Sequence, residues 1–289
     1  MADNQSNHDS VWEYNPSKAA AILFTILYGL TTFGHFFQMF QHRKWYCWVL
    51  VMGCSWEFLG FLLRNLSITN PTSVPLYAPM QTFIILAPLW IAAFLYMSLG
   101  RLIHAFLPSR RCLGLSARRI TLMFVLGDIF SFIVQLSGSM FLTGSNPTPE
   151  KFHLGTSILI GGQCLQLLLF SFFIVLGIRF EVNYKQEFGS TSTSGRERWI
   201  KMMRVMNFSC ACIVVRSIFR IAEFASEYPG PLVSHEVAFY VLDAVMMLFA
   251  VVGFHLVHPG MVLGEEGSFR AEKKRAQNSR SEVEMGVIR

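Results

Sequence analysis

Long apolar runs separated by short polar stretches set the pattern of this chain. Seven runs can be read, at about 19–40, 46–64, 81–103, 120–142, 155–180, 202–222 and 237–258. They are continuously apolar and do not alternate, which excludes a β-barrel. Each approaches the ~20 residues needed to cross about 30 Å of hydrocarbon. The pattern predicts an all-α polytopic membrane protein, a seven-transmembrane-helix bundle. Asn70-Pro71, Pro75, Pro108, Asn146-Pro147, Pro149, Pro229-Gly230-Pro231 and Pro259-Gly260 punctuate the runs. Pro88 falls inside the third, where it should free a carbonyl and kink the helix.

Basic residues alternate between the connections. Arg43 and Lys44 follow the first run, Arg110, Arg111, Arg118 and Arg119 the third, and Lys185, Arg196, Arg198, Lys201 and Arg204 the fifth. The tail carries Arg270, Lys273, Lys274, Arg275, Arg280 and Arg289, whereas Lys18 and Lys151 stand nearly alone on the opposite side. This bias predicts an outer N-terminal segment (1–18), a seven-helix domain (19–258) and a basic cytoplasmic tail (259–289). The sequons at Asn4 and Asn65 then lie outside and are candidate glycosylation sites, while Asn207 starts a third sequon inside a span. Residues 1–18 are polar and acidic, unlike a cleavable signal peptide. Trp45, Trp48 and Trp199 at inner span ends, and Trp12 and Tyr14 outside, read as interfacial anchors.

Composition sharpens the exclusions. Of 289 residues, 53% are hydrophobic and only 15% charged, against roughly 25% charged in a soluble domain. A soluble enzyme domain, a disulfide scaffold and a disordered regulator are all excluded. The net charge of +6 is accounted for by the loops. No basic patch is interleaved with aromatics, so no nucleic-acid partner is expected. None of the six cysteines lies in an outer connection, so no exofacial disulfide is expected.

Charge inside the spans carries the functional signal. An ionised side chain at mid-bilayer costs about 2.5–3.5 kcal/mol on insertion scales. Arg216 and Arg220 could together cost about 5–7 kcal/mol, while roughly nine apolar residues of the sixth span return ~4 kcal/mol. Neighbouring helices must supply counter-charges. Glu57 and Arg64 lie seven apart on the second span, Asp128 and Gln135 on the fourth, and Glu236 and Asp243 on the seventh, with Tyr240 between. Arg216, Arg220 and Glu223 follow i, i+4, i+7; Gln163 and Gln166 are i, i+3; Gln81 begins the third run. Each set makes one stripe, expected to face the interior. Depth from a 1.5 Å rise puts Glu57 near mid-membrane, Asp128 toward the inside and the others in the outer half. A polar chamber opening outward is the expectation. The same residues could instead be structural pins that fix helix register.

The order of these residues resembles a known family. The second span has Glu57, Gly60, Phe61 and Arg64; the third has Gln81, Leu86-Ala87-Pro88, Ala92-Ala93, Tyr96-Met97 and Gly100-Arg101. The fourth has Asp128, Ser131-Phe132, Gln135 and Gly138, and the fifth Gly161, Gln163 and Gln166. Then come Arg216, Phe219-Arg220, Glu223-Phe224, Glu236, Tyr240, Asp243 and His258-Pro259-Gly260. Over about residues 20–260 this resembles the fungal RTA-like family of lipid-translocating exporters. Phe61, where a Tyr is common, and the Ser137-Gly138-Ser139 stretch depart from its pattern. The resemblance implies seven helices, a fungal membrane and the movement of amphipathic lipids such as sphingoid bases or sterol-like toxins. Glu57, Asp128 and Asp243 would suit a cationic head group and the arginines a phosphate.

Three functions compete. A translocator of amphiphiles in the plasma membrane comes first; with no Gly-x-x-x-x-Gly-Lys-[Ser/Thr] stretch, it would lack that ATP engine. A seven-helix receptor or stress sensor is the alternative. An intramembrane zinc hydrolase, built on His255 and His258 with His35 and His104 nearby, comes last. The expectation is a non-enzyme with lipid partners and neither cofactor nor metal.

Overall fold

A computed structural model describes residues 12, 14–107, 111–112, 115–142, 149–188, 193–225 and 236–262. Seven helices of 24 to 38 residues are long and apolar enough to cross a membrane. Even the shortest rises about 36 Å, more than the hydrocarbon core. α1 (Lys18–His42) starts at Ser17, whose Oγ accepts the Ala20 N–H as an N-cap. It ends at Arg43 in the left-handed region. A 3-10 turn (Trp45–Cys47) leads into α2 (Trp48–Thr69) and then α3 (Val74–Phe106). A two-residue antiparallel pairing, Arg111–Cys112 with Leu115–Ser116, precedes α4 (Ala117–Leu142). α5 (Pro149–Phe188) and α6 (Thr193–Ala225) follow. The seventh span, Glu236–Val262, is composite: α7 (Glu236–Phe239), a π-helical turn (Tyr240–Ala244), α8 (Val245–Leu256) and α9 (Pro259–Val262).

Each helix packs on its neighbours in sequence, and the seventh span returns to α1 and closes the ring. α3 lies most centrally, touching α2, α4, α5 and α6. It begins seven residues earlier than the apolar pattern indicates. Pro75 sits in its first turn, where a missing N–H breaks no bond. α2 approaches α3 through Gly53 and Gly60. A Cβ on Gly60 would stand 2.6 Å from Ile84 Cγ1, so only glycine lets the backbones close there. Glu57 sits between these two glycines, so the close approach also buries its carboxyl.

Aromatic residues at the ends divide by role. Trp45 and Trp48 stay exposed, as interfacial anchors do. Trp199 does not: it is 2% exposed, with its ring 4.3 Å from Tyr184 and 6.2 Å from Phe180. The α5–α6 contact claims it, since its indole has more to bury there than at the bilayer edge. Trp12 is also drawn inward, edge-on to Tyr77.

Candidate functional site

The span residues singled out by charge gather in three groups. The largest joins α2, α6 and the seventh span. Asp243, on the π turn, receives both arginines of α6: Arg216 Nε donates to Oδ1 at 2.7 Å and Arg220 Nη2 to Oδ2. Arg220 Nη1 also donates to Glu223 Oε2 at 2.9 Å. The i, i+4, i+7 spacing on α6 therefore places two guanidinium groups about one carboxylate. π turns recur at functional positions. Here the Val245 N–H reaches back to the Tyr240 carbonyl, and the Ala244 carbonyl accepts from Tyr28 Oη at 2.7 Å.

Arg216 has a second bond, from Nη2 to the Ile84 carbonyl at 3.3 Å. Ile84 lies four residues before Pro88, whose missing N–H leaves that carbonyl without its helical partner. The proline and the arginine thus satisfy each other across α3 and α6. The freed carbonyl expected from sequence is present, and its partner is a span arginine.

Toward the predicted outer end, Arg64 pairs with Glu236 at 2.9 Å, not with Glu57 on its own helix. Its Nη2 also donates to Tyr14 Oη at 2.9 Å and its Nε to Tyr240 Oη at 3.1 Å. The guanidinium carbon lies 4.8 Å from the Trp12 ring centre and 4.6 Å from that of Phe239. Glu236 Oε2 accepts the Ser17 backbone N–H at 2.7 Å. Trp12, Tyr14 and Ser17 therefore cap this end of the bundle. Burial holds the Tyr14 phenol above its usual range, with the Arg64 charge pulling the other way.

Glu57 faces the Asp243 group but joins none of its bonds. It is 1% exposed, and its Oε1 is buried without a hydrogen bond.

The second group joins α3 and α4. Tyr96 Oη donates to Asp128 Oδ2 at 2.7 Å among Phe124, Phe170 and Phe173, and Oδ1 has no bond. The third joins α4 and α5: Gln163 Nε2 donates to Gln135 Oε1 at 3.1 Å, and Gln135 Nε2 to Gln166 Oε1 at 3.0 Å. Gln81 bonds only Tyr77 on its own helix. The expected single chamber is thus one charged core plus two smaller polar contacts. Gln135, Gln163 and Gln166 make the interhelical bonds that such residues commonly make.

Asn65 lies inside α2, with Nδ2 donating to Thr25 Oγ1 and the Phe61 carbonyl; a glycan there would take one of these two hydrogens and its bond. Asn4 and the tail beyond residue 262 lie outside the described residues. His35 stacks on His255, ring centres 3.7 Å apart, and His42 on His258 at 4.5 Å. Among the described residues, no three His, Cys, Asp or Glu side chains are placed to hold a metal ion. The sequence marks Tyr14 only as an interfacial anchor and Tyr96 only within the family pattern, and gives Tyr28 no role. A hydroxyl in an apolar run, four or seven residues from another polar group, is the signal that would have found Tyr28.

Comparison with known proteins identifies the setting. The family model described as RTA1 like protein matches residues 50–266. The probable lipid transporter atnI of Emericella nidulans is 36% identical over 89% of this chain and 69% of its own length. Protoporphyrin uptake protein 1 of Saccharomyces cerevisiae is 37% identical over 70% of this chain and 65% of its own, just under two thirds. The sphingoid long-chain base transporter RSB1 of the same yeast is 24% identical over 85% and 72%. No solved structure matches.

Proposed function

The chain belongs to the RTA1-like family, and on that premise we propose that it carries amphipathic lipids or lipid-like compounds across its membrane. The similar proteins named for lipid, sphingoid-base and protoporphyrin movement support transport, and their names are those of transporters, not enzymes. The observation that carries the reading to particular residues is the buried Arg216–Asp243–Arg220 group. An intramembrane charge cluster is expensive to insert, and such clusters mark substrate or ion pathways. The arginines would meet an anionic head group and the carboxyls a cationic one. The charge bias of the connections supports an outer N-terminus and a cytoplasmic tail, and we place the protein in the plasma membrane.

The test is uptake and efflux of a labelled sphingoid base in cells with and without the protein. A protein-dependent flux is expected. Identical fluxes in both would overturn the reading. Accessibility of epitope tags at the two termini, in intact and permeabilised cells, tests the orientation.

A further inference from the structure

Two features of the core have no part in its ion pairs. Glu57 is buried with Oε1 unbonded. A row of proton-carrying groups also runs down one face of α1. Tyr28, His35 and His42 are spaced seven apart, so each stands about 10 Å below the last on the same side. Buried Thr31 lies between the first two.

Around Asp243, two guanidinium groups (Arg216 and Arg220) face three carboxyls (Glu57, Glu223 and Asp243). Taking a carboxylate out of water costs several kcal/mol unless it is paired and hydrogen-bonded. Asp243 and Glu223 are bonded to the arginines. Glu57 is bonded to neither, so of the three carboxyls it is the one for which the neutral, protonated form costs least. Arg220 Nε is likewise buried without a bond, and the two do not meet in this arrangement. Glu57 faces Tyr28 from α1, Cys54 from its own helix, Arg216 and Arg220 from α6, and Asp243 from the seventh span. α3 contributes the aliphatic Ile84 beside Gly60.

Tyr28 connects this core to the inner half. Its ring stacks on Phe61, one turn from Glu57, and its hydroxyl ends on the π turn. Next along the face, His35 Nε2 lies 3.2 Å from the Val251 carbonyl and must donate to it. That leaves His35 Nδ1 as a bare acceptor, buried without a partner. His255, stacked on His35, exchanges bonds with Gln38: Nδ1 lies 3.0 Å from Gln38 Oε1, and Gln38 Nε2 donates to the His255 carbonyl. His42 and His258 complete the row at the end of α1. Stacked rings this close cannot both be imidazolium without strong repulsion. Each pair therefore takes up at most one proton at a time.

We propose that Glu57 is the ion-coupling residue of this transporter. It holds one proton while the core is empty and, when a cationic head group arrives, releases it to water that bridges the ~10 Å steps of the Tyr28–His35–His42 face of α1. The carboxylate left behind balances the cation, so one proton leaves for each amphiphile bound and the exchange moves no net charge. The inference rests on the transport reading above and adds to it the coupling ion, the residue that binds it and its route.

The full chain is reconstituted in liposomes and given a fluorescent long-chain quaternary ammonium, which cannot cross as a neutral base. The membrane potential is clamped at zero with valinomycin and equal potassium, and a gradient of one pH unit is imposed. One-for-one exchange then accumulates the probe about tenfold. E57Q accumulates it to a ratio of about one, while E57D restores the tenfold value and controls for folding. H35Q, which keeps a donor for the Val251 carbonyl, reaches the wild-type ratio several-fold more slowly. Wild-type flux that ignores the gradient, or accumulation that survives in E57Q, overturns the coupling and leaves transport standing. An H35Q rate equal to wild type overturns the histidine route. A wild-type protein that moves no probe overturns the transport reading for cationic amphiphiles, and the inference falls with it.

Discussion

Replacing Asp243 with asparagine removes the one carboxylate that both α6 arginines share. The new amide oxygen can accept from one guanidinium, but its NH2 group then opposes the other. Arg220 keeps Glu223 at 2.9 Å, so its loss is partial. Arg216 keeps only the 3.3 Å bond to the Ile84 carbonyl, and its charge is left without a bonded carboxylate at 4% exposure. Breaking a buried pair from one side costs about 3–5 kcal/mol, or two to nearly four powers of ten in the folding equilibrium. Removing both ends in D243N/R216Q takes away the orphaned charge. The double variant is therefore expected to lose less than D243N alone, with a coupling of about 1–3 kcal/mol. Unfolding of the purified chain in mixed micelles, titrated with denaturing detergent, measures all three variants. A D243N protein within about 0.5 kcal/mol of wild type, or strictly additive losses, would refute the reasoning.

Other sites give independent tests. Y96F leaves both Asp128 oxygens without a bond and is expected to cost about 1.5–3 kcal/mol in the same titration. G60V drives a side chain into Ile84 and should destabilise the α2–α3 contact; adding I84A should recover part of the loss, which a purely local helix effect would not allow. P88A supplies an N–H that competes with Arg216 for the Ile84 carbonyl. Stability should change by about 1 kcal/mol or less, while reconstituted flux falls several-fold; unchanged flux would make the kink incidental. R64K keeps the charge but loses the planar group stacked among Trp12, Phe239 and Tyr240. It should loosen the N-terminal cap, measured as faster proteolysis ahead of Lys18.

The seven spans were legible because an apolar run of about twenty residues, repeated seven times, exposes more hydrocarbon than one soluble core can hide. Their ends were less so. Pro75 reads as a breaker, yet it is harmless in the first turn of α3, and α5 continues to Phe188. The stripes were legible too, since 3.6-residue periodicity fixes which side chains share a face. It does not say what that face meets: Glu236 is 172 positions from Arg64, and only the ring closure of the bundle brings them together. Asp128 reads as the neighbour of Gln135 but turns to Tyr96 on α3 instead. Pro88 predicted an orphaned carbonyl, whereas its pairing with Arg216 needed the contact of α3 with α6. The π turn leaves no trace in composition or period.

The claim that organises these observations is that the charged core handles head groups and is more than a set of pins holding helices in register. Reconstituted flux of a labelled sphingoid base by D243N/R216Q tests it most directly, because that variant removes the charges in balance. A monodisperse, folded double variant with flux reduced to the level of empty liposomes is the predicted result. Wild-type flux from the same folded variant would contradict the account.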